Sequence, residues 1–129
     1  MKLSYTTLFV KDVHATIAFY EKAFGLTKGM VVPTGEYGEM LSGNAKLAFA
    51  SDVQALSNGI EFELQHQAKK SPAMEIGFIC ENVEEAYAKA VQAGAKPAAA
   101  PKAKPWGQTV AYVLDNNGFL IELGTAMAD

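Results

Sequence analysis

Only one cysteine, Cys80, occurs in the 129 residues, so no intrachain disulfide framework can hold this fold. Cys80 ends the apolar run Ile76 to Cys80. No basic or helix-terminal group is placed to lower its pKa, so a buried structural thiol is expected. No apolar run approaches the roughly 20 residues that span a bilayer. Met1-Lys2-Leu3-Ser4 opens into a strand pattern rather than a signal-peptide core. A soluble, cytoplasmic protein with no membrane partner is therefore expected. Clustered basic residues are missing as well, and the net charge is −3. That removes the electrostatic footprint of a nucleic-acid binder. Histidine is scarce: His14 is placed on the solvent side of a helix segment and His66 in a polar connector. Each is expected to be a plain surface residue. What is abundant is apolar side chain, 50% of the chain, enough for one domain core. Each half alone would be marginal, so two halves would have to bury faces against one another or against another subunit.

An internal repeat organises the chain. Tyr5 to Val10 is rich in β-branched and aromatic residues and reads as a strand. Asp12 then offers an N-cap, Val13, Ile17, Tyr20 and Phe24 follow at helical spacing, and Gly25 stops the helix. Glu75 to Cys80 repeats the strand; Asn82 with Glu85 forms a capping box, Val83, Ala86, Tyr87 and Ala90 give the stripe, and Gly94 stops it. The two segments superpose with an offset of 75 − 5 = 70. Further on, Tyr37-Gly38 and Trp106-Gly107 each open a strand that turns, through Ser42-Gly43-Asn44 and Asp115-Asn116-Asn117-Gly118, into a last strand. Those last strands align with an offset of 122 − 48 = 74, which sets Ala48 opposite Glu122. An extra strand is expected in each half near Lys28 to Val32 and Lys96 to Ala100, although the second stretch has poor β propensity. The expectation is an α+β fold: a single domain over 1–129, with module one at 1–51, a connector at 52–72 and module two at 73–129. Each module reads βαβββ, and the curved mixed sheets are expected to enclose a small-molecule cavity. Within the connector, Ile60 to Leu64 alternates like a half-buried strand. Part of it is therefore a candidate lid over the cavity mouth.

The stretch from Val10-Lys11-Asp12 through Phe19-Tyr20-Glu21-Lys22-Ala23-Phe24-Gly25-Leu26 resembles the vicinal oxygen chelate superfamily. So does Trp106-Gly107-Gln108 through Tyr112 and Asp115-Asn116-Asn117-Gly118 to Ile121-Glu122-Leu123. That group holds the glyoxalases, extradiol dioxygenases and bleomycin resistance proteins. The resemblance implies metal ligands at the start of the first strand and the middle of the last strand of each module, here Tyr5, Ala48, Glu75 and Glu122. This set departs from the family's pattern, because Tyr5 and Ala48 remove the first module's contribution. Neither the three ligands of catalytic zinc nor the two-histidine, one-carboxylate face of non-haem iron is available. No cofactor is expected; Glu75 and Glu122 with Tyr5 could hold at most a weakly bound divalent cation such as Mg²⁺. The resemblance also implies a homodimer, in which a first module pairs with a second module of the partner.

If the helix that follows the Glu75 strand covers the Phe78 face, period-2 alternation turns Glu75 and Glu122 into the concavity. Two inward carboxylates repel one another and lose hydration, which raises at least one pKa. Inherited structural hydrogen bonds to Tyr5, Trp106, Gln108 or water are the bland alternative. The candidate ligand-binding set is Tyr5, Thr7, Glu75, Trp106, Tyr112 and Glu122, with no metal ligand and no catalytic residue assigned. First in order comes a metal-free protein that binds or sequesters a small organic or drug-like ligand. A glyoxalase-like lyase or other divergent enzyme using Glu75 and Glu122 is the second reading, and an interaction module with a vestigial cavity the third.

Overall fold

A computed structural model describes residues 1–127. Strand β1 (Thr6–Val10) runs into α1 (Val13–Phe24), whose entry is fixed by Asp12 accepting from the Ala15 amide at 3.0 Å. Gly25 closes the helix at φ 68°, a left-handed conformation that favours glycine, and its amide donates to the Glu21 carbonyl. Strands β2 (Thr27–Val31), β3 (Tyr37–Ser42) and β4 (Ala45–Ser51) complete the first module. The short helix α2 (Asp52–Leu56) and a single 3-10 turn at Gln65–Gln67 punctuate the connector. Strand β5 (Ile76–Ile79) and α3 (Val83–Gln92) follow, the helix capped by Asn82 accepting from the Glu85 amide at 3.0 Å. Strands β6 (Lys96–Ala103), β7 (Thr109–Leu114) and β8 (Leu120–Gly124) close the second module. No helix among the described residues is long and apolar enough to cross a membrane.

The strands form two four-stranded mixed sheets, ordered β1-β4-β3-β2 and β5-β8-β7-β6. In each, the first strand pairs parallel with the last and the remaining pairs are antiparallel. The α+β fold of two βαβββ modules expected from the repeat is therefore what the chain adopts. β6 tolerates Pro97 and Pro101 because it is an edge strand needing donors on one side only, and its register to β7 shifts twice.

One core serves both halves. Val10, Ile17, Tyr20 and Phe49 from the first module and Val83, Val113, Ile121 and Leu123 from the second belong to a single buried cluster. Helix α1 packs on its own sheet, α3 on the other, and the two helices on each other. The helices thus lie between the sheets. Polar bonds lock the seam: the Tyr20 hydroxyl donates to Asp115 at 2.5 Å, Asn117 Nδ2 to Thr16 Oγ1 at 3.0 Å, and the Lys11 amide to Asn117 Oδ1 at 3.2 Å. Asp115 also accepts from the Asn117 and Phe119 amides. Burial still pushes its carboxyl above the ordinary value, and burial together with Asp115 pushes the Tyr20 phenol well up.

Three expectations change. First, the sheets do not close on a cavity within one chain, because the shared core occupies the faces that meet and each opposite face looks outward. Second, Ile60 to Leu64 forms no strand. Third, Tyr37-Gly38 and Trp106-Gly107 are not counterparts. Strand register pairs Glu39 with Ala48 and Tyr112 with Glu122, an offset of 112 − 39 = 73, whereas the aromatic-glycine pairs differ by 106 − 37 = 69. The two glycines do different jobs. Gly38 lies inside β3, where a Cβ would sit 2.8 Å from Ile17 Cδ1, while Gly107 is a turn residue at φ 96°.

Tyr20→Phe removes the donor of a buried carboxylate while keeping the ring in the core. It is expected to lower stability by about 1–3 kcal/mol, read from the urea midpoint at constant m-value; an unchanged midpoint would contradict the seam described above.

Candidate functional site

Ile121 and Leu123 are core residues, so Glu122 between them projects from the outer face of the second sheet. Ile76 and Phe78 also pack on the core, which sends Glu75 and Gly77 to the same outer face. Tyr112 is the register partner of Glu122, and its hydroxyl donates to Glu122 Oε2 at 2.9 Å. Glu75 joins this pair. Its carboxyl is pushed up by desolvation, then by the hydrogen bond and charge of Glu122, with Tyr112 acting the other way. The Tyr112 phenol is pushed up to about 12, first by its bond to Glu122, then by burial and the two carboxylates. Tyr112 therefore remains a donor across neutral pH. Together they make one fixed donor, one acceptor, and one carboxyl that takes a proton readily.

Trp106 is 60% exposed, and its Nε1 donates to Gln108 Oε1 at 2.9 Å rather than to either carboxylate. Gln108 Nε2 in turn donates to the Thr125 carbonyl at 2.8 Å. Trp106 and Gln108 thus pair with each other, and Glu122 is served by Tyr112 and Glu75.

Tyr5 and Thr7 lie on the other sheet and do not join Glu75, Tyr112 and Glu122 within one chain. Tyr5 precedes β1 and is 59% exposed. Thr7 is half-buried beside Ala48, its register partner, which is completely buried. On that outer face a second polar cluster appears: the Tyr37 hydroxyl donates to Glu39 Oε2 at 2.9 Å, and Lys46 Nζ stands 3.4 Å from Glu39 Oε1. Burial, then Glu39 and nearby Tyr5, push the Tyr37 phenol up to about 12. Glu39, only 8% exposed, was not among the candidates. The signal was present: Gly38 and Met40 alternate toward α1 and the core, so Tyr37 and Glu39 must face away. In register terms the first module carries its carboxylate on β3 where the second carries Tyr112, and Ala48 where the second carries Glu122.

The connector is fastened to this same face. Phe9, between core residues Leu8 and Val10, points outward and meets the ring of Phe62 at 4.7 Å. His66 is not a plain surface histidine: its Nε2 lies 2.8 Å from Asp52 Oδ2, with both side chains largely covered. The reason is Asp52 itself, 8% exposed at the start of α2, whose other oxygen is buried without a partner. His14 is exposed, as expected. Cys80 is half-buried against the core, and burial pushes its thiol up. Among the described residues no three or more His, Cys, Asp or Glu side chains gather as a metal site. Glu75 and Glu122 offer two carboxylates, short of the three protein ligands that catalytic zinc takes.

Because Glu75 is raised in the folded chain, its contribution to stability is present below the ordinary carboxylate range and is lost as pH rises through its folded pKa. Glu122→Gln removes the neighbouring charge. In a carbon-detected NMR titration of the side-chain carboxyls, Glu75 is expected to titrate above an ordinary glutamate in the wild type and to move down in Glu122→Gln. An unmoved Glu75 would show that the two carboxylates are not coupled.

The fold is shared with known proteins. A glyoxalase-related enzyme from Fulvimarina pelagi superposes with a TM-score of 0.79 at 21% identity, covering 98% of this chain and 88% of that one. A glyoxalase/bleomycin resistance protein/dioxygenase family enzyme from Burkholderia phytofirmans PsJN superposes at 0.80 with 20% identity, covering 98% and 100%. TioX from Micromonospora sp. ML1 superposes at 0.73 with 17% identity, covering 97% and 98%. At these identities the likeness is one of fold. No protein of curated function matches the chain. The family model of the Glyoxalase/Bleomycin resistance protein/Dioxygenase superfamily matches residues 2–123, nearly the whole sequence, and the chain belongs to that superfamily.

Proposed function

We propose that the protein binds a small organic molecule, without a metal, in a cavity made when the outer face of module two meets that of module one from a second copy. The observation that carries this is the state of those faces. Each holds an ordered polar cluster, Tyr112 with Glu75 and Glu122 on one and Tyr37 with Glu39 on the other, beside the largely exposed aromatics Trp106 and Tyr5. Binding cavities characteristically combine apolar walls with a few fixed polar groups. A two-fold homodimer would form two such cavities at once, since an isologous contact repeats every pairing. The free thiol of Cys80 suits a reducing cytoplasmic setting.

A second reading has an observation of its own. The raised carboxyl of Glu75 suits a group that gives and takes protons. This supports a lyase or isomerase that would use Glu75 as its base, with Tyr112 and Glu122 holding the substrate.

Native mass spectrometry of the purified protein tests the first reading, with elemental analysis after dialysis. A dimer carrying a small organic molecule, with substoichiometric zinc and nickel, is expected. A monomer at micromolar concentration, or one tightly held metal per chain with turnover lost on chelation, would overturn it.

A further inference from the structure

A cleft of about 470 Å³ opens where the C-terminal end of α1 and the β3–β4 turn meet β5 and α3. None of Glu75, Tyr112 and Glu122 lines it, although a Cβ on Gly77 at its edge would lie 3.9 Å from Glu122 Oε1. Its walls are apolar: Phe24 and Leu26 from the first module, Phe78 and Leu123 from the second, with Ala86 on α3. The Phe24 and Phe78 rings meet at 5.2 Å, yet both remain only half-buried, as does Leu26. Ile79, 75% exposed, forms part of the rim. Apolar surface left facing a concavity of this size is surface that an apolar ligand removes from water.

The charge lining the cleft has one sign. Among the described residues Lys89 is the only charged one that lines it. Its Nζ stands 3.7 Å from where a Cβ on Gly25 would lie, and among the described residues no carboxylate is within ion-pair distance of it. The charge also faces the negative end of α1, but Lys22 already occupies the last turn of that helix. The edge of β5 adds donors. Cys80 donates its amide to the Gly124 carbonyl, so alternation turns Phe78 toward β8 as well. The amides of Gly77 and Ile79, with their carbonyls, therefore point to the open side of β5, which is the outermost strand of its sheet, and both residues line the cleft. The Cys80 thiol, raised by burial, adds no negative charge.

We propose that this cleft is a second binding site, for an apolar carboxylate. The chain or ring of the ligand lies against Phe24, Leu26 and Phe78. Its carboxylate meets Lys89 and the free amides of the β5 edge. The site is independent of the outer-face cavity and stands whether or not that cavity binds anything.

Octanoate, octanol and octylammonium, matched in apolar length and differing in charge, test the assignment on the full chain by amide and methyl NMR titration. Octanoate is expected to shift the Gly77 and Ile79 amides and the Leu26 and Leu123 methyls. Octanol should bind about tenfold more weakly or worse, and octylammonium should not bind, as loss of one charged hydrogen bond requires. Lys89 is exposed, so Lys89→Met should fold normally; it should reduce octanoate to the affinity of octanol and leave octanol unchanged. Ala86→Phe, which fills the cleft, should abolish both. No shift from octanoate at millimolar concentration would overturn the proposal. So would equal octanoate binding by Lys89→Met, or shifts centred on Tyr112 and Glu122 instead.

Discussion

Everything in this molecule depends on the packing of α1 against α3 between the two sheets. The contact merges two halves, each too small to hold a core, into a single apolar cluster running from Val10 and Phe49 to Val113 and Leu123. The hydrogen bonds from Tyr20 to Asp115 and from Asn117 to Thr16 set the angle at which the halves meet. Because the inner faces are consumed by that core, the polar clusters of both sheets are delivered to the outside. The position of these clusters is a consequence of where the hydrophobic burial went.

The pseudo-symmetry is broken in a chemically directed way. The second sheet places Glu122 and Tyr112 as cross-strand partners and brings Glu75 to them from the parallel strand. The first sheet puts Ala48 where Glu122 would be and moves its carboxylate one strand over, to Glu39, where Lys46 partly neutralises it. One face therefore carries two adjacent carboxylates beside a tyrosine and the other a tyrosine-rich surface with a single shielded carboxylate. Facing one another, such surfaces would give a cavity with distinct ends, suited to a ligand that must bind in one orientation.

Much of the fold could be read from residues before any coordinates. Asp12, Gly25, Asn82 and Gly94 mark the helices because capping and left-handed stops are local chemistry. That Glu122 turns away from the helices followed from its apolar neighbours Ile121 and Leu123, but the face it occupies was expected to line a concavity and looks outward in the single chain. Register was harder to read: the two aromatic-glycine pairs look alike in sequence, yet Gly38 makes room for Ile17 while Gly107 turns the chain. The His66 contact with Asp52 was hidden for a similar reason, since burial of Asp52 depends on where a distant connector comes to rest. Glu39 was legible through alternation, but the family's pattern drew attention to position 48 instead.

The central claim is that the outward faces are completed by a second copy, and Trp106 reports on it directly. It is the single tryptophan of the chain and stands 60% exposed at the edge of the module-two face. Acrylamide quenching of its fluorescence, followed from micromolar to nanomolar protein, should show a protected, blue-shifted indole at high concentration. On dilution it should become exposed at the same midpoint as the loss of dimer mass. A fully quenchable, solvent-like emission at every concentration, with dimer mass retained, would contradict the account.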